Sequence, residues 1–377
     1  MDFNRNKIIS FISLTVILFT LSWTGCRGKK NDDPSANIDK TAILTNIAEE
    51  IILKRYEDLN ASIIQLENDH NAFINLTNSN NFLTLRTSFF NAYLLWEKCS
   101  AFEFGPAETS TLRVMMNTFP CDTAQIQSNI SLGTYDLTQA QNIDATGLPA
   151  IDYMLYGIAD SEADFVEYYS DSLLGSTRLS YVTSIIVQMK ALVKDVYESW
   201  STSGTYYTSF VENTGTDVGS SLSLIVNNLN QDYEMLKNAR IGIPLGKKTL
   251  DIPLPNKTEA YYSGRSMELA IQHLKSIKEL YAGINDEGND GMGLDDYILG
   301  LETEGAITGL NEAITTRFAN IESMLATVPD PLSESVVNET VLLNELYNEL
   351  VKQVASLKTD MPSAMGVLIT YQDNDGD

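Results

Sequence analysis

Residues 179–200 read LSYVTSIIVQMKALVKDVYESW. Within them Leu179, Val182, Ile186, Met189, Val193, Val196 and Trp200 recur three or four positions apart. A helix completes a turn every 3.6 residues, so this spacing places all seven on one face. A half-buried strand would instead alternate every second residue. The stretch therefore predicts a long amphipathic helix with a single buried stripe.

The same period recurs on both sides. Upstream, Leu44, Ile47, Ile51, Leu59, Ile63 and Leu66 mark one helix. Asn78-Ser79-Asn80-Asn81 interrupts, and Phe82, Leu85, Phe89, Tyr93, Trp96 and Cys99 mark the next. Residues 105–146 are rich in Thr, Asn, Asp and Gly and predict short helices and loops. Ser161 with Asp164 is a capping-box-like start for a further helix.

Downstream, stripes run through Val218, Leu222, Ile225, Leu229 and Leu236, then through Met267, Ile271, Leu274, Ile277 and Tyr281. Ile307, Leu310, Ile314, Ile321 and Leu325 give another. Val337, Val341, Tyr347, Val351, Val354 and Leu357 give the last. Pro244, Pro253 and Pro255 mark an extended connection. Residues 366–371 look extended, as a strand or an edge. Long stripes with short connections pack as antiparallel bundles. The expected fold is all-α: two four-helix-bundle-like domains packed against each other, 38–205 and 206–377, with a boundary at residues 201–205.

Residues 1–25 stand outside that fold. Arg5 and Lys7 precede an apolar run from Ile8 to Trp23, which reads as a secretory signal peptide. Cys26 directly follows Thr24-Gly25 and matches the lipid-acceptor cysteine of a bacterial lipoprotein. Residues 26–37 are polar, without periodicity, and read as a tether. The expected location is the cell envelope, lipid-anchored at the outer membrane or periplasmic face. Export into an oxidising compartment makes Cys99 and Cys121 either a disulfide or two buried thiols.

The 377-residue chain carries 50 acidic and 25 basic residues, a formal net charge of −25. Phosphate binding needs a basic surface, so nucleic acid is excluded as a partner. The charge favours cations, basic partners, or simple solubility. The two histidines, His70 and His273, lack a second ligand at zinc-helix spacing and read as structural or surface residues. No Gly-x-Ser-x-Gly elbow or phosphate-binding glycine loop is present.

What remains is carboxylate chemistry around Gly147-Leu148-Pro149-Ala150-Ile151-Asp152-Tyr153-Met154-Leu155-Tyr156-Gly157. Pro149 fits a first helical turn and Gly157 a left-handed C-cap. Ile151, Met154 and Leu155 share a buried face. Asp152 would sit near the positive end of this short helix. Glu103 and Glu108 flank the rigid corner Gly105-Pro106 and join Asp152 as candidate ligand-binding groups. Tyr262, Ser263, Arg265 and Ser266 open a later helix, where free N–H groups and hydroxyls bind an anion or simply cap the helix. The acids at 286–296 and at Asp373-Asn374-Asp375-Gly376-Asp377 read as solvated turns; the latter lacks the glutamate a calcium loop needs.

Taken together, several of these segments resemble the imelysin-like proteins, in the form found as lipoproteins of Bacteroidetes. The resemblance rests on Trp96, on residues 102–106, on residues 116–120 with Asp122, and on residues 147–157. It continues through residues 242–246, 259–266 and 369–377. It implies two helical bundle domains with a site near their interface, and an association with bacterial iron uptake. It implies iron or another divalent cation as a conceivable cofactor, and iron-uptake proteins or a small ligand as partners. The family motif Gly-x-His-x-x-Glu maps onto Gly147, Pro149 and Asp152, so proline stands where the histidine should be. Proline has no side-chain donor or acceptor. The expected function is therefore a non-catalytic ligand- or partner-binding component. The alternatives are a metallopeptidase with a rearranged site of Glu103, Glu108 and Asp152, and a purely structural surface protein.

Overall fold

The computed structural model describes Ser35, residues 37–171 and residues 173–371. Cys26 and the acidic run from Asp373 to Asp377 lie outside the described residues. From Ile38 onward the chain forms one compact unit.

The first helix, α1 (Lys40–Asn46), passes through a π-helical segment, Ile47–Leu53, into α2 (Lys54–Asn75). Asp39 caps its start by accepting the Ala42 N–H. All six apolar residues of the expected stripe are fully buried. Asn78 ends the interruption by accepting the Asn81 N–H at 2.9 Å, and α3 (Ser79–Cys99) follows. α4 (Gly147–Asp152) runs directly into a π-helical turn, Tyr153–Gly157. α5 (Gly175–Trp200) is the long helix read first from the sequence. Ser161 caps the short helix before it, Glu162–Ser170, as its spacing to Asp164 predicts.

In the second half, α6 (Ser221–Met235) continues as a π-helical segment, Leu236–Gly242. α7 (Ser266–Ala282), α8 (Leu310–Leu325) and α9 (Thr340–Val354) complete the long elements. α2, α3 and α5 pack together; α6 to α9 pack together; and α3 lies directly against α7. Helices carrying residues from both halves thus meet along α3 and α7, and this contact positions the site.

Three details differ from the sequence reading. The last long helix and the π segment after it, Ala355–Asp360, bury Leu343, Leu346, Leu350 and Leu357, while Val341 and Val351 face outward, and Val337, exposed too, belongs to a separate short helix, Leu332–Asn338. Both sets fit a helical period; packing selects the bulkier leucine stripe, which removes more apolar area from water. Val218 is exposed, because α6 begins only after Ser220, whose hydroxyl caps it. Residues 367–370 belong to no helix, and the described residues contain no strand, only an isolated bridge between Ile284 and Asp290. The Asn227 side chain replaces a neighbouring strand there, donating to Leu368 O and accepting from Thr370 N.

Candidate functional site

Gly147 begins α4 at φ 73°, a conformation that favours glycine. A Cβ there would lie 2.4 Å from the Met116 carbonyl oxygen, so the residue also permits a close backbone approach. Ile151, Met154 and Leu155 are fully buried, as their spacing predicts. Gly157 is not a left-handed cap. Its backbone stays helical, and its lack of a side chain makes room for the Tyr262 ring, 2.4 Å from where a Cβ would stand.

Asp152 does not serve the N-terminus of its own helix. Its carboxylate reaches across to the second half of the chain and accepts the backbone N–H groups of Tyr262 at 3.0 Å and Ser263 at 3.2 Å. The residue is 1% exposed. Burial pushes its carboxyl up to about 6, opposed by its hydrogen bonds with Ser263 and Tyr262. Two expectations thereby satisfy each other: the anion held by the amides of the 259–266 segment is the protein's own Asp152. The other groups there are also engaged. The Ser266 hydroxyl donates to the Glu259 carbonyl. Arg265 pairs with Glu268 at 2.6 Å and lies 3.2 Å above the Phe90 ring. The first turn of α7 is capped by Asp330, which accepts the Met267 N–H.

Glu103 and Glu108 do not join Asp152. The Glu103 carboxylate accepts the Arg113 N–H at 3.0 Å, with burial raising its pKa. Glu108 is solvent-exposed on the short helix Pro106–Thr109. Cys99 and Cys121 are free thiols. Cys99 ends α3 in the core, near the ion pair of Arg55 with Asp286. Cys121 borders a cavity beside Asp152.

The strongest electrostatic feature is one the sequence reading passed over. Helices α3, α6, α7 and the π segment enclose a buried ion cluster. Arg240 bridges Glu97 Oε2 at 2.5 Å and Glu259 Oε2 at 2.7 Å. His273 lies between Glu97 (Nδ1, 3.0 Å) and Asp232 (Nε2, 2.7 Å). Asn117 donates to Glu259 at 2.6 Å, Tyr93 donates to Asn117 at 2.8 Å, and Ser100 donates to Asp232 at 3.0 Å. Arg113 stands 3.8 Å from Asp232. Burial and Arg240 push the His273 pKa down, but the Asp232 charge and hydrogen bonds to Asp232 and Glu97 outweigh them, and the net direction is up. Burial raises Glu259, to about 7, against the pull of Arg240. Arg240, Arg113 and protonated His273 together set three positive charges against three carboxyl groups.

A signal for this cluster exists in the sequence. Glu97 lies four residues after Tyr93, Asp232 falls between Leu229 and Leu236, and His273 lies four before Ile277. Each occupies a slot of a buried stripe, where a charge must be paired. His273, read as a structural or surface histidine, is fully buried and ion-paired. The set does not suit a resident divalent cation: both ring nitrogens of His273 face carboxylates at hydrogen-bonding distance, and Arg240 occupies the others. Among the described residues, no three His, Cys, Asp or Glu side chains are grouped to hold a metal ion.

A cavity of about 210 Å³ is lined in part by Thr258 and Ala260, the neighbours of Glu259 in the chain. Phe119, Pro149, Asp152, Thr258, Tyr261 and Tyr262 contribute to its lining. The two positions that the motif comparison singled out, Pro149 and Asp152, therefore share one wall.

The Imelysin (Peptidase_M75) family model matches residues 52–357. The chain belongs to the imelysin family. No functionally curated protein matches it. Among solved structures, a Parabacteroides distasonis chain provisionally designated an iron-regulated protein A precursor superposes with a TM-score of 0.71 at 17% identity. The match covers 86% of this chain and 95% of that one. An imelysin-like protein from Psychrobacter arcticum gives a TM-score of 0.65 at 17% identity, over 88% and 97% of the two chains. At this identity the likeness establishes the imelysin fold. It agrees with the all-α expectation and places the Asp152 cavity and the ion cluster in an imelysin-like framework.

Proposed function

We propose that this imelysin-family chain is a lipid-anchored binding protein of the bacterial cell envelope, linked to iron acquisition and without hydrolase activity. The observation that carries the reading is the wall shared by Pro149 and Asp152. Pro149 offers no ligand, and both oxygens of Asp152 are engaged by backbone amides. A hydrolytic site needs a group free to activate water. The cavity beside these residues remains available to a small ligand or a partner's side chain. Its presence, lined by Asp152 and Tyr262, also favours a binding role over a purely structural one. The sequence of residues 1–26 supports export and lipidation at Cys26. The designation of the Parabacteroides neighbour supports the link to iron.

The test is peptide hydrolysis by the purified protein, with and without chelator, beside its metal content. The expected outcome is no cleavage and no chelator effect. Cleavage that is lost on Asp152→Ala would overturn the reading in favour of a rearranged peptidase. Release of radiolabelled palmitate from the wild-type chain but not from Cys26→Ser, after growth in labelled fatty acid, tests the anchor.

A further inference from the structure

We infer that the Asp152 cavity binds an organic cation, a primary ammonium or guanidinium group, between its aromatic rings and the Asp152 carboxylate. This rests on the reading of the cavity as a binding site and adds the chemical class of its ligand.

The walls supply the argument. Phe119, Tyr261 and Tyr262 line the cavity. Tyr261 and Tyr262 sit edge to face with ring centroids 5.1 Å apart, and Tyr153 backs Tyr262 at 5.0 Å. The Phe119 ring already has the Arg240 guanidinium 5.8 Å from its centroid. Aromatic faces carry the negative end of a quadrupole and attract cations. None of the lining side chains is basic. The only formal charge among them is Asp152, and Asp122 and Asp144 lie close enough to act on the lining thiol of Cys121. Burial first, and then these three carboxylates, raise that thiol to about 12. An anion would meet this field unfavourably. A bare metal ion would find no set of free ligands. A cation with an apolar stem matches both the rings and the charge.

The volume, about 210 Å³, is below the roughly 300–1,000 Å³ typical of drug-sized pockets. It suits one side-chain-sized group. Such a group has two sources, a free small amine or a lysine or arginine of a partner protein. Tyr261, a lining residue that is 40% exposed, is accessible to either.

The experiment uses the chain from Ile38 onward, which forms one compact unit. Saturation-transfer NMR at 150 mM salt and pH 7.5 compares 1-butylammonium, 1-butylguanidinium, 1-butanol and butyrate. Binding by the two cations is expected, at least tenfold tighter than by butanol, with none by butyrate. Tyr261→Ala is expected to weaken cation binding at least fivefold without changing the melting temperature. Asp152→Asn is expected to weaken it as well. An acetylated, amidated Gly-Lys-Gly peptide separates the sources: competition with 1-butylammonium assigns a partner's side chain, and its absence assigns a free amine. Equal binding of butanol and the cations overturns the inference, as does cation binding indifferent to both substitutions. Those results leave the binding role of the cavity standing, whereas peptide cleavage dependent on Asp152 would remove that role itself.

Discussion

The carboxylate of Asp152 accepts the backbone N–H of Tyr262 at 3.0 Å across 110 positions of sequence. Removing it leaves two half-buried amides without their acceptor. Hydrogen bonds to charged groups contribute about 1.5–3 kcal/mol each, less the relief of a buried charge. Asp152→Ala is expected to lose about 2 kcal/mol in urea unfolding at pH 7. A change below about 0.5 kcal/mol would mean that the contact does not hold the 259–266 segment.

Gly157 and Tyr262 form the second half of this latch. A Cβ at position 157 would meet the Tyr262 ring at 2.4 Å. Gly157→Ala is expected to cost about 1–3 kcal/mol, as overpacking does. Tyr262→Ala on top of it should return part of that loss, because its contact with the new Cβ is removed while that of Tyr153, at 2.6 Å, stays. Purely additive effects of the two substitutions in a double-mutant cycle would refute direct contact.

Arg240 holds two buried carboxyl groups, Glu97 and Glu259. Taking one partner out of a buried pair leaves an uncompensated charge and costs about 3–5 kcal/mol. Arg240→Met is expected to fall in that range by denaturant titration, with Glu259→Gln restoring part of it. If Arg240→Met unfolds at the wild-type midpoint, the cluster does not depend on Arg240.

The pH dependence follows from the direction of the shifts. Asp152 titrates near 6 in the fold against an ordinary value of 3.8, and Glu259 near 7 against 4.5. His273 is raised from 6.5. In each case the folded chain holds its proton to higher pH than the unfolded chain does. Their contribution to stability is therefore full below the unfolded values and is lost as pH rises through the folded ones. These three groups together lower stability as pH rises from about 4 to about 7, while the buried His70, lowered to about 4, acts in the opposite sense below its ordinary 6.5. Asp152→Asn should flatten the part between about 4 and 6, by on the order of 2–3 kcal/mol for a shift of this size. An Asp152→Asn profile with the same slope as wild type between pH 4 and 6 would contradict this assignment.

Cys99 and Cys121 are free. Thiol titration of the chain from Ile38 onward in denaturant, without reductant, is expected to find both, with Cys121 reacting first under native conditions because Cys99 is fully enclosed in the core. Recovery of neither thiol would indicate a disulfide.

The helices themselves were legible in the sequence. The stripe running through α1 and α2, that of α3, and that of α5 beyond Leu179 are buried where their spacing puts them, since helical period is set locally. The last helix shows the limit: its valine and leucine stripes both fit the period, and the neighbouring helices decided between them. Likewise Gly147 and Gly157 stood out, but their reasons, a carbonyl and a tyrosine ring, come from distant parts of the chain.

The site divides along the same line. The sequence by itself determined an all-α imelysin framework and an acidic chain, and it drew the eye to Pro149 and Asp152 on one short helix. Only the tertiary structure decided what Asp152 touches, that Glu103 is engaged by the Arg113 amide and Glu108 faces solvent, and that Glu97, Asp232, Arg240, Glu259 and His273 converge. The physical reason is that a helix's period follows from its own backbone, whereas the pairing of a buried charge depends on which other helix is packed against it.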